Sequence, residues 1–156
     1  MIDLTTAFAT NPLIAILRGL RPENALSVSD TLISAGFQII EVPLNSPDPQ
    51  NSIKKIEEQY DKQTNIGAGT VLNDAQVEAV AEAGGQIIVS PNLNPDVGRA
   101  AVQRGLYWAP GVMTPSEAFS ALDLGATVLK FFPAELLPPS AIAAMRAVLP
   151  QDAVIA

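Results

Sequence analysis

Apolar runs of strand length return along this chain at nearly constant intervals. They start at Leu13, Ile39, Asn65, Gln86, Leu106, Thr127 and Ala153, which are 26, 26, 21, 20, 21 and 26 residues apart. Segments of helical spacing fill the intervals, so a strand followed by a helix is the repeating unit. The runs Leu13–Leu17, Ile39–Leu44, Asn65–Ala68, Gln86–Ser90, Leu106–Ala109 and Thr127–Phe132 are mostly apolar on both faces. That pattern belongs to parallel strands covered on both sides. Helices are predicted over 22–35, 48–60, 74–83, 95–104, 115–124 and 139–148.

Local punctuation supports these boundaries. Pro22 and Pro115 suit a first helical turn, and Asn73 and Thr114 can cap N-termini. Gly36, Gly84, Gly105 and Gly125 stand where a left-handed C-terminal residue is wanted. Pro43, Pro91, Pro110 and Pro133 fall at the far ends of strands, where pairing is expected to stop. Short, even connections favour a (β/α)8 TIM barrel over an open doubly wound sheet, which brings one longer crossover. The seventh run begins at Ala153 and the sequence ends at Ala156, whereas a closed barrel of the usual length needs roughly 50 further residues. The expectation is one α/β barrel domain over 1–156, truncated within strand seven.

Composition removes several chemistries. The 156 residues contain no cysteine and no histidine, which excludes disulfides, thiol nucleophiles, histidine-dependent triads and the usual nitrogen and sulfur ligands of zinc. Only a carboxylate-bound hard cation survives that test. A formal charge of -7 disfavours nucleic acid and anionic membranes as partners. The first residues lack a basic start, and no apolar run reaches the ~20 residues of a membrane helix. A soluble, cytoplasmic protein is expected.

Two charges stand where this fold does not tolerate charge without a reason. Lys54, Lys55 and Lys62 mark a solvated helix face, but Lys130 interrupts the apolar run Val128-Leu129-Lys130-Phe131-Phe132. An unpaired ammonium buried there costs several kcal/mol. With a period of two, Val128, Lys130 and Phe132 share one face. If that face looks inward, the amine sits at the C-terminal mouth, where barrel enzymes keep their active sites. An amine among apolar neighbours gives up its proton more readily than one in water, and the neutral amine attacks carbonyls to form Schiff bases. Glu41 breaks the second run, Ile39-Ile40-Glu41-Val42-Pro43-Leu44, in the same way. Facing the lysine, it can shuttle protons; the alternative is a buried ion pair with no chemistry.

Arg18 closes the first run just before Gly19, where a guanidinium can grip a carboxylate or phosphate. Asn45 and Ser46, a loop later, are compatible with substrate contact or with a plain turn. Gly67-Ala68-Gly69-Thr70 has the first two glycines of a dinucleotide motif but Leu72 in place of the third. The preferred reading is a close backbone approach at the mouth, with the Thr70 hydroxyl offered to a ligand.

Taken together, Leu17-Arg18-Gly19, Glu41-Val42-Pro43-Leu44-Asn45-Ser46, Gly67-Ala68-Gly69-Thr70-Val71, Ser90-Pro91-Asn92 and Lys130-Phe131-Phe132-Pro133-Ala134-Glu135 resemble the class I aldolases acting on 2-keto-3-deoxy-6-phosphogluconate and -phosphogalactonate. The resemblance implies a cofactor-free homotrimer of (β/α)8 barrels that cleaves a phosphorylated 2-keto-3-deoxy sugar acid to pyruvate and glyceraldehyde 3-phosphate. It makes Lys130 the Schiff-base residue and Glu41 the proton shuttle, and it places Arg18 and Thr70 around the pyruvyl carboxylate; Asn45 and Pro91 are further candidate substrate contacts. Arg18 with Leu44-Asn45-Ser46 looks like the phosphogalactonate branch. The family's glycine-rich phosphate loops would lie beyond Ala156. A non-catalytic barrel fragment serving as an assembly module, and a carboxylate-bound metal-dependent aldolase, are the rival readings.

Overall fold

The computed structural model describes residues 3–61 and 63–156, so Lys62 lies outside the described residues. The strands are β1 (Ala15–Ile16), β2 (Ile39–Pro43), β3 (Asn65–Gly69), β4 (Ile87–Val89), β5 (Tyr107–Ala109), β6 (Gly111–Val112), β7 (Val128–Phe131) and β8 (Val154–Ile155). The helices are α1 (Leu4–Thr10), α2 (Ala25–Ser34), α3 (Pro49–Tyr60), α4 (Asp74–Glu82), α5 (Pro95–Gln103), α6 (Pro115–Asp123) and α7 (Pro139–Arg146). All neighbouring strands run parallel, in the orders β1-β2-β3-β4-β5 and β6-β7-β8.

These two groups are one sheet. Thr127 N–H donates to the Trp108 carbonyl (2.9 Å) and Lys130 N–H to the Pro110 carbonyl (3.0 Å), so β5 and β6 are two lengths of a single strand with Pro110 between them. The expectation that pairing stops at Pro110 is therefore wrong. Proline lacks only its N–H, and its carbonyl still serves the strand on the other side. Pro22 also departs from its expected place. It lies in a turn over residues 21–24, and α2 begins only at Ala25. Thr114 and Asn73 cap α6 and α4 as expected, accepting from Glu117 N–H and Gln76 N–H. Gly36, Gly84, Gly105 and Gly125 all have positive φ.

The sheet is curved, because residues from strands that are not neighbours meet on its inner face. Ile39 of β2, Ile87 and Val89 of β4, Ala109 of β5 and Val128 of β7 form one buried cluster. The alternate residues Ile40, Val42, Ile66, Ala68, Ile88 and Trp108 face outward onto Ile53, Ile56, Val77, Val80, Val97 and Ala101 of the helices. Leu129 and Phe131 pack likewise on Ala118, Ala121 and Met145. This is the two-sided burial of a barrel-type α/β fold. Among the described residues β1 and β8 are not paired with each other, and the lumen opens between them.

Helix α1 was not foreseen. The Asp3 side chain caps it by accepting from Thr6 N–H (3.0 Å). Its buried Leu4 and Ala7 join Ile39, Ile87 and Val128, the first residues of their strands. The helix thus floors the lumen at the N-terminal end and leaves the opposite end for chemistry. No helix among the described residues is long and apolar enough to cross a membrane.

One packing contact yields a stability prediction. Trp108 is fully buried, and a methyl group at Gly98 of α5 would come within 2.9 Å of its ring carbon Cζ2. Gly98→Ala gains about 1 kcal/mol of helix propensity but overpacks the core, at a cost of about 1–3 kcal/mol. A net loss of stability in urea denaturation is expected, against the usual sign of glycine-to-alanine changes in helices.

Candidate active site

Lys130 and Glu41 reach the same space from opposite parts of the sheet. Lys130 is the third residue of β7 and Glu41 the third of β2. Both line a cavity of about 450 Å³. Its other walls include Ile14, Ile16, Val89, Ala109, Val128 and Phe132, with Phe8 of α1 at the base and Ala134 and Glu135 beyond β7. The inward parity expected for Val128 and Lys130 is therefore present. Lys130 itself is half-buried rather than enclosed. Its Nζ stands 5.2 Å from the centroid of the Phe132 ring, within range of a cation–π contact.

Glu41 is 5% exposed. Burial pushes its carboxyl above the ordinary carboxylate value, and this outweighs the opposing pulls of Lys130 and then Arg18. The salt bridges among the described residues are Arg21–Glu23, Lys54–Glu58, Arg99–Asp96 and Arg104–Glu78, all at the surface. Lys130 and Glu41 share a cavity and a field without closing into one of these contacts. A protonatable acid beside an amine in an apolar cavity can pass protons in either direction, which a locked ion pair cannot do.

The mouth is tied together by its loops. Gly19 N–H donates to the buried Ser46 hydroxyl (3.0 Å), which joins the turn after β1 to the turn after β2. Arg18, just before that tie, is exposed, yet near enough for its charge to act on Glu41. Thr70 follows β3 with φ 60°, a left-handed conformation that a β-branched residue rarely adopts and that marks a constrained position. Asn45 is exposed and Pro91 half-buried, and none of Arg18, Thr70, Asn45 and Pro91 is among the residues lining the cavity. The Pro91 carbonyl packs against Gly111 instead.

The two glycines before Thr70 do different work. A side chain at Gly67 would collide with the Ile87 backbone carbonyl, so this is the close strand approach read from the sequence. A methyl at Gly69 would fall on the carboxylate of Glu41, with Cγ of Glu41 only 2.9 Å away. That second role was not legible beforehand, since it depends on which neighbour fills the vacated space. Phe132 was placed on the lysine's face, but its ring contact was not anticipated.

The family model described as KDPG and KHG aldolase matches residues 4–155. A probable 2-dehydro-3-deoxy-6-phosphogalactonate aldolase of Rhizobium meliloti (strain 1021) is 55% identical over 145 residues, covering 93% of this chain and 68% of that protein. A solved structure described as native KDPGal is 48% identical with a TM-score of 0.90, covering 92% of this chain and 70% of the other. The KDPG aldolase of Legionella pneumophila, solved with pyruvate captured as a covalent carbinolamine intermediate, is 29% identical with a TM-score of 0.85, covering 93% and 70%. The chain belongs to the KDPG and KHG aldolase family.

Proposed function

We propose that this chain carries a Schiff-base aldolase site that reversibly cleaves 2-keto-3-deoxy-6-phosphogalactonate to pyruvate and glyceraldehyde 3-phosphate. The observation that carries the reading is the meeting of one amine, Lys130, and one buried acid, Glu41, in a single apolar-walled cavity. The neutral amine of Lys130 adds to the C2 ketone, and the protonated Glu41 carboxyl donates to the departing hydroxyl, so that water leaves, a protonated imine forms and Glu41 is left as the carboxylate. Glu41 takes the proton of the C4 hydroxyl as the C3–C4 bond breaks, and the electron pair of that bond moves into the imine to form an enamine. The aldehyde leaves. Glu41 returns its proton to C3, and water releases pyruvate from the lysine. The raised carboxyl of Glu41 suits it to carry a proton between these steps.

Arg18 and Thr70 are assigned to the pyruvyl carboxylate, and Asn45 and Pro91 to the outer substrate contacts. Phe132, beside Nζ, faces the cation that the imine becomes. The galacto epimer is preferred because the identity to the phosphogalactonate-type relative, 55%, far exceeds the 29% to the Legionella phosphogluconate-type enzyme. A cytoplasmic homotrimer completes the reading.

Pyruvate release from the two C4 epimers, followed with a coupled lactate dehydrogenase, tests it. Faster release from the galacto epimer, unchanged by a chelator, is expected. Loss of activity with the chelator would favour the metal-dependent alternative, and no pyruvate from either epimer would favour an assembly module.

A further inference from the structure

We propose that Gly69 is a positioning residue for Glu41, its missing side chain being the seat that aims the carboxylate at Lys130. The inference rests on the proton-shuttle reading of Glu41 above. Strand register places Glu41 beside Gly67 and Pro43 beside Gly69. The Glu41 carboxylate nevertheless lies over Gly69, so its side chain leans two residues along the strand toward the C-terminal mouth. All three atoms nearest to a methyl at position 69 belong to this one side chain.

Backbone freedom does not account for the glycine. Gly69 is an ordinary parallel strand residue and is not among the positive-φ glycines. Nor does close strand approach, which explains Gly67 through the Ile87 backbone. What Gly69 supplies is clearance for the far end of a flexible acid. Any side chain there drives the carboxylate off its position while leaving the strand free to pair. Misplacing a reacting group by about 1 Å costs on the order of 10²-fold in rate.

The test follows exchange of the pyruvate methyl protons in D2O by NMR, a step that requires enamine formation and proton transfer at C3. Gly69→Ala is expected to retain the wild-type circular dichroism spectrum and to lose about 10–100-fold in exchange rate. In a Glu41→Gln background the same change is expected to cost nothing further, because the group it displaces no longer carries protons. An unchanged exchange rate in Gly69→Ala, with Glu41→Gln inactive, would overturn the seat while sparing the shuttle. An equal loss in both backgrounds would overturn it as well. Wild-type exchange in Glu41→Gln would sink the shuttle itself. Should Gly69→Ala fail to fold, adding Glu41→Ala removes the three clashing atoms; recovery of the fold supports the seat, and continued failure overturns it.

Discussion

Lys130→Met is expected to lose turnover by about 10⁴-fold or more, since among the described residues no other group lining the cavity is an amine that could replace the proposed nucleophile. The fold should survive. Methionine is unbranched, of similar length, and suited to the apolar wall formed by Val128, Phe132 and Ile16. The thermal midpoint should hold or rise, because an ammonium is removed from a half-buried position. A second effect accompanies the first. Lys130 is the larger of the two charges pulling the Glu41 carboxyl down, so the Glu41 titration should move further upward in this variant, as 13C NMR of a labelled carboxyl would record. An inactive variant with an unmoved Glu41 titration would mean that the two groups do not share one site.

Glu41→Gln is expected to separate activity from stability in opposite directions. Turnover should fall by about 10²–10⁴-fold, the range for removal of a general acid–base group. Stability near neutral pH should rise. The Glu41 carboxyl lies above its ordinary value of 4.5 in the folded protein, so the native state binds this proton more tightly than the unfolded chain does. The group's contribution to stability therefore declines as pH climbs from 4.5 through the raised value, and the penalty is fully present above it. Glutamine carries no charge at any of these pH values and removes the penalty. Thermal melts of both proteins across this interval should converge at low pH and diverge toward neutrality, with the variant the more stable. A variant less stable than wild type at neutral pH would mark Glu41 as a structural ion-pair partner.

Much of this molecule was legible in the order of its residues, and the parts that were not share a cause. Even spacing located the strands because each apolar run must span one barrel wall, and caps such as Thr114 and Asn73 bounded the helices through local hydrogen bonds. Lys130 and Glu41 stood out because a charge within an apolar run has no bland explanation in a two-sided sheet. Helix α1 escaped because seven residues are too few for periodicity to speak. Pro110 misled because its missing N–H matters only on the side where a donor is needed. Arg18, Thr70, Asn45 and Pro91 do not line the cavity because loop geometry, rather than a period of two, directs residues at strand ends and in turns. Gly69 was invisible for a related reason, since a glycine states only that something is missing.

The central claim is that Lys130 forms a covalent imine with a 2-keto acid, and the most direct measurement is borohydride reduction in the presence of pyruvate followed by peptide mass mapping. Reduction should leave one stable pyruvate-derived adduct, on the peptide containing Lys130. An adduct spread over Lys54 and Lys55, or none at all on a folded protein that releases pyruvate, would contradict the account.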